Sequence, residues 1–215
     1  MIIVHEQPEV NADMIEQRDR QFNSADYSDP MVSRILDAAE ECICRYGIRR
    51  TAMGEVARVG KLSRGSIYRY FGDKESLVQG VFQRRQELFL NRTEAALEKL
   101  PTLVDKVTHS VVQGRKDARD GIFGKLAETE PQTVATMLLD EQFYRRSVSF
   151  WPPHICMAQA AGEIDPDVDV HLATDYVMRL AVSMTMFPQM GLTLRSKPAI
   201  RAYLERVLSS GLGRG

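Results

Sequence analysis

The chain has 215 residues, with 44% apolar and 27% charged residues and a formal net charge of -1, which is enough to bury a core and excludes the collagen-like and charge-rich disordered classes. Three cysteines, Cys42, Cys44 and Cys156, are too few and too scattered for a disulfide framework and imply a reducing compartment. The acidic beginning (Glu6, Glu9, Asp13, Glu16) does not read as a secretory signal, and no run approaches the roughly 20 apolar residues of a membrane span, so a cytoplasmic protein is expected.

Residues 1–30 carry Asp13, Asp19, Asp26 and Asp29 with few large apolar side chains and end at Pro30, which predicts a flexible acidic arm unsuited to insertion into DNA. From Met31 the spacing turns helical. Val32, Ile35, Leu36, Ala39, Ile43 and Tyr46 recur at three and four residues, and Gly47 closes the element. Thr51 is expected to cap a short second helix carrying Met53, Val56 and Ala57, with Gly60 as the left-handed residue that ends it. Ser63 caps a third helix, with Leu62 and Ile67 placed as a hydrophobic staple. Ile67, Tyr70 and Phe71 are expected in the core, and Gly72 is expected to end the helix.

Asp73 caps a long fourth helix through Leu77, Val81, Leu88 and Leu97 to Pro101. Further helical segments are predicted at 102–116, 121–129, 131–150, 154–161, 166–187 and 197–209. Breaks are expected at the charged stretch Arg115 to Asp120, at Trp151-Pro152-Pro153, at Asp165-Pro166 as cap and first turn, and at Pro188 with Gly191. Gly211, Gly213 and Gly215 read as a frayed tail. No segment has a strand pattern. The expected fold class is all-α, with a helix-turn-helix domain at 31–75 and a helical ligand-sensing and dimerisation domain at 76–215.

Three helices joined by tight turns, the third preset by a cap and a staple, form a unit whose third helix can enter a major groove. Its outward residues are Arg64, Gly65, Ser66, Tyr68 and Arg69, which combine cationic, hydrogen-bonding and aromatic groups with a glycine that permits close backbone approach. From Arg34 to Arg85 there are eleven Lys and Arg against six Asp and Glu, a net of +5 in a chain whose total is -1. The basic charge therefore gathers where the motif lies.

The stretch Ile35 to Leu77, and above all Lys61-Leu-Ser-Arg-Gly-Ser-Ile-Tyr-Arg-Tyr-Phe-Gly-Asp-Lys-Glu-Ser-Leu77, resembles the DNA-binding domain of the tetracycline-repressor (TetR) family. The resemblance implies an all-α subunit that pairs as a homodimer through its last two long helices, here 166–187 and 197–209, and is released from a palindromic DNA operator by a small molecule. Carried over by position, Thr51, Tyr68 and Lys74 correspond to phosphate contacts, and Arg64, Gly65, Ser66 and Arg69 to the base-reading face. Lys74 also lies in a helix first turn, where phosphate is favoured. The arm of about 30 residues departs from the family's short basic lead-in.

The aromatic cluster Phe143, Tyr144, Phe150 and Trp151, beside Pro152-Pro153, is a candidate lining for a largely apolar ligand. Met178, with Met184, Met186 and Met190, serves either such a pocket or the core and dimer interface. Ligand-binding candidates are thus Phe143, Phe150, Trp151 and Met178. His109, His154 and His171 lie too far apart for a metal site, and neither a catalytic constellation nor a cofactor motif is present, so no enzyme, cofactor or metal is expected. The reading is a nucleoid-bound transcription regulator, a repressor in the family's usual mode. Its alternatives are an architectural DNA binder and a helical enzyme or carrier with a vestigial motif.

Overall fold

The computed structural model describes residues 27, 29–138, 140–186 and 194–213, and among them every regular element is a helix. The helices are α1 (Pro30–Arg50), α2 (Met53–Gly60), α3 (Arg64–Tyr70), α4 (Lys74–Leu97), α5 (Leu103–Asp120), α6 (Ile122–Thr129), α7 (Pro131–Leu138), α8 (Glu141–Ser149), α9 (Pro152–Ala160), α10 (Val170–Met186) and α11 (Lys197–Leu212). The chain forms two compact units, one running to Arg84 and the other starting at Arg85, with the division inside α4. The all-α class read from periodicity is the one observed. Nearly all of the acidic arm, and Pro188, Met190 and Gly191, lie outside the described residues.

In the first unit Asp29 caps α1 by accepting the Met31 N–H at 2.7 Å, and Pro30, which has no N–H to satisfy, takes the first position. Val32, Ile35, Leu36, Ala39 and Ile43 are buried, as the spacing predicts. Tyr46 is not: it is 41% exposed. Gly47 interrupts the helix at φ 77°, where a side chain would be strained. Carbonyls freed by that break take up Thr51, whose N–H bonds Gly47 and Ile48 and whose hydroxyl donates to Gly47 at 2.8 Å. Thr51 is therefore not the cap of α2; that position is Ala52, without a side-chain bond.

The left-handed residue that ends α2 is Lys61 (φ 51°, ψ 48°), not Gly60. Gly60 stays helical and serves close approach, since a Cβ there would lie 3.0 Å from the Ala38 Cβ and 3.2 Å from Leu62 Cδ1. Leu88 of α4, expected on an apolar stripe, is 44% exposed.

In the second unit α5 is the hub, packed against α6, α9, α10 and α11. Leu103, Val107 and Val111 of α5 share one core with Trp151, Ile155, Val177, Met178, Ile200 and Leu204. The charged stretch Arg115 to Asp120 continues α5 rather than breaking it, because its charges have partners. Arg115 donates to the Met184 and Leu194 carbonyls, and Asp117 accepts from Gln113 and Arg92. The single segment expected at 131–150 is two helices, since the Asp140 carboxylate caps α8 through the Phe143 N–H at 3.1 Å.

Asp165 closes a turn onto the Asp167 N–H and does not start α10; Asp169 does, accepting the Leu172 N–H at 2.9 Å. Gly211 is within α11, not in a frayed tail, because Leu212 is buried and its carbonyl accepts the Asp165 N–H at 2.9 Å.

Two outcomes follow from buried charge. Arg84 bonds Glu40 at 3.3 Å and Asp37 at 2.8 Å, tying α4 to α1, and both Arg84 and Glu40 are buried. Arg84→Ala is expected to cost about 3 kcal/mol in urea unfolding, because it strips a core carboxylate of its guanidinium; a loss under about 1 kcal/mol would mean that water already screens the pair. Burial and the nearby Lys197 push the His109 imidazole below its ordinary value. The folded state therefore takes up its proton later than the unfolded chain, so stability should be full above about pH 6.5 and decline as pH falls below it. His109→Gln should flatten that part of the profile.

Candidate nucleic-acid interface

Helix α3 has seven residues, too few to hold a helix alone, so whatever anchors it also aims its side chains. The Ser63 hydroxyl accepts the Ser66 N–H at 3.0 Å and caps the start. Ile67 is fully buried, and Phe71, in extended backbone after the last turn, is 6% exposed. With Phe71 filling the inward place, Tyr70 turns outward at 38% exposure, against the expectation that it joins the core. The helix therefore ends at Tyr70, before Gly72.

The turn into α3 is held from two sides. The Leu62 N–H returns to the Ala57 carbonyl at 2.9 Å, and the Arg34 guanidinium, reaching over from α1, donates to the carbonyls of Gly60 at 2.9 Å and Lys61 at 3.1 Å. Sequence reasoning missed Arg34, because its partners are carbonyls 26 and 27 residues away. It also missed Gly54, where a Cβ would lie 2.4 Å from Arg64 Nη2, so the glycine leaves room for that guanidinium against α2.

Arg64, Gly65, Tyr68 and Arg69 are exposed on α3, Tyr68 by 50%. Ser66 is half-buried, with its Oγ 2.8 Å from Ser63 Oγ. A Cβ on Gly65 would meet nothing closer than Ser63 Oγ at 3.9 Å, so the missing side chain leaves open space at the surface. The Arg69 guanidinium stacks 5.3 Å from the Tyr70 ring centre.

Lys74 stands apart at the start of α4, where the Asp73 carboxylate accepts both the N–H and the hydroxyl of Ser76 at 2.7 Å. Those bonds hold the Asp73 carboxyl below the usual range. Lys74 Nζ donates to the Arg49 carbonyl at 3.0 Å. Thr51, 3% exposed, is not brought to this surface.

In the second unit Trp151 and Met178 are buried in one apolar core and Phe150 packs on it, edge-on to Trp151 at 5.3 Å. Phe143 is half-buried outside that cluster, its carbonyl accepting Gln86 Nε2 at 2.7 Å. Among the described residues no three His, Cys, Asp or Glu converge on a metal position, and no helix is long and apolar enough to cross a membrane.

Residues 35–81 match the model of the bacterial regulatory proteins, tetR family. The HTH-type transcriptional regulator UidR of Escherichia coli strain K12 is 29% identical over 156 residues, covering 70% of this chain and 78% of that one. The first unit of this chain carries a TetR-family DNA-binding domain. Salmonella enterica GusR shares the fold at TM-score 0.59 with 25% identity, over 85% of this chain and 95% of that one. The Bacillus subtilis transcriptional regulator FadR, solved in complex with stearoyl-CoA, does so at TM-score 0.56 and 19% identity, over 84% and 98%. With that domain and this similarity, the protein is a DNA-binding transcription regulator.

The clamp on the turn is testable in this regulator. Arg34→Ala should leave the helices folded by circular dichroism, raise amide hydrogen exchange at Leu62 to Ser66, and weaken specific DNA binding about tenfold. Unchanged exchange there would remove Arg34 from the role.

Proposed function

We propose that this regulator binds a palindromic operator as a homodimer, represses transcription, and is released by a small, largely apolar ligand. The observation that carries the reading is the outward face of α3, where Arg64 and Arg69 have no carboxylate partner among the described residues and stand beside Ser66, Tyr68 and the bare backbone of Gly65. Arg64, Gly65, Ser66 and Arg69 read bases, and Tyr68 and Lys74 hold phosphate. Thr51, carried over as a phosphate contact, supports the site from below, since its hydroxyl is turned to Gly47.

DNA binding is assigned to residues 31–75, and sensing and dimerisation to 76–215. Dimerisation through α10 and α11 is supported by Leu172 and Val182, 64% and 42% exposed on α10. The complex of the fold's Bacillus subtilis member with stearoyl-CoA supports ligand sensing, which is assigned here to the second unit. Phe143, Phe150, Trp151 and Met178 are its candidate contacts. Because α4 contributes residues to both units, a ligand-driven shift along it is the route to the α3 that precedes it. The chain is placed in the cytoplasm, on the nucleoid.

The test is selection of bound duplexes from a random-sequence library by the full-length protein. An enriched palindrome with half-sites about 10 base pairs apart, or a multiple of that, is expected. Arg64→Ala or Ser66→Ala should relax base preference, while Lys74→Ala should weaken all sequences alike and lessen the salt slope by about one. Sequence-blind binding by the wild-type protein would instead favour an architectural DNA binder.

A further inference from the structure

The core of the second unit holds charge that apolar packing does not need. Lys106 on α5 and His154 on α9 are 5% and 4% exposed. Lys106 Nζ lies 3.5 Å from His154 Nδ1, and His154 Nε2 lies 3.0 Å from Glu94 Oε2 on α4. With the lysine ammonium as donor, Nδ1 accepts, which assigns the ring proton to Nε2, and that N–H donates to the Glu94 carboxylate.

Two of the three Lys106 N–H groups are then without a partner among the described residues. The negative end of the relay is remote and wet, since the Glu94 side chain is 47% exposed. A buried ammonium with a single ring nitrogen as acceptor is under-satisfied, a state that costs free energy until an acceptor arrives.

Two buried hydroxyls add to the demand. Thr93 Oγ1 and Thr174 Oγ1, in residues each 1% exposed, have no hydrogen-bond partner among the described residues. Thr93 adjoins Glu94, and Thr174 lies on α10, which packs against the helix carrying Lys106. Around the relay the surface is apolar: the Phe150 and Trp151 rings lie 5.2 and 5.9 Å from the His154 ring, in the core that also holds Ile155.

We infer that Lys106 binds the head of an amphipathic carboxylate, whose oxygens accept from the free ammonium donors while its apolar body lies against Trp151 and Phe150. This rests on the sensing role proposed above and names its ligand class. An alcohol of the same length forfeits the charge-assisted bond, and an alkylammonium meets a like charge.

Trp151 is the sole tryptophan and reports the site by its fluorescence. Full-length protein is titrated with octanoate and 4-phenylbutyrate, with the matching alcohols 1-octanol and 4-phenylbutanol, and with octylammonium. The carboxylates should bind at least about tenfold more tightly than their alcohols, and octylammonium most weakly. Lys106→Met, folded by circular dichroism, should abolish the preference and leave the alcohols unchanged. Wild-type protein that binds both carboxylates no better than the alcohols overturns the inference, as does a folded Lys106→Met that keeps the preference. The wild-type comparison decides even where the variant does not fold. Carboxylate binding that leaves operator affinity untouched would spare the ligand class and sink the regulatory reading. Operator release by the alcohols alone would do the reverse.

Discussion

The orientation of a seven-residue helix depends on one buried side chain. Ile67 is fully inaccessible, and its burial contributes about 2 kcal/mol, with about 1 kcal/mol more from the Ser63 cap. A helix this short has no stability of its own to add. The first unit is arranged around that anchor: α1 supplies the core, the bare Gly60 lets the turn approach Ala38, and Arg34 grips the turn's carbonyls. Arg64, Tyr68 and Arg69 on the outer face inherit their direction from these contacts.

Charge in the first unit is sorted by pairing. The region is strongly basic as a whole, but Arg45 bonds Glu41, Arg58 bonds Glu55 through two nitrogens, and Arg84 is taken up by Glu40 and Asp37. Those guanidinium groups brace helices. Arg64 and Arg69 are left with glycine backbone and an aromatic ring as neighbours, contacts that position a cation without neutralising it. A diffuse excess of positive charge is thus resolved into an oriented face, which is what phosphate and base-edge recognition require.

Burying polar groups in the second unit works against stability, since a well-packed apolar core would be at least as stable. Gln86, Lys106, Thr108, Ser110, His154 and Thr174 are all buried there. Some have intrahelical or interhelical acceptors, such as Thr108 on the Val104 carbonyl and Gln86 on Phe143 and Ser147. Those bonds specify one packing of the helices around α5. The under-satisfied groups are of a different kind, and recognition gives them a physical reason to persist.

The features legible in the sequence are those decided within one helical turn. Apolar spacing of three and four residues, the Ser63 and Asp73 caps and the break at Gly47 act between neighbours, so the all-α class, the three-helix motif and the exposure of Arg64, Gly65, Tyr68 and Arg69 could be read directly. Where a side chain had two acceptable environments, only packing chose: Tyr70 gave way to Phe71, Thr51 turned to the carbonyl of Gly47, and Lys61 rather than Gly60 took the left-handed backbone. The relay from Lys106 through His154 to Glu94 joins residues 48 and 60 positions apart, and no local pattern encodes it. It exists because three helices bring their polar residues to one point in the core, and such convergence is decided by tertiary structure alone.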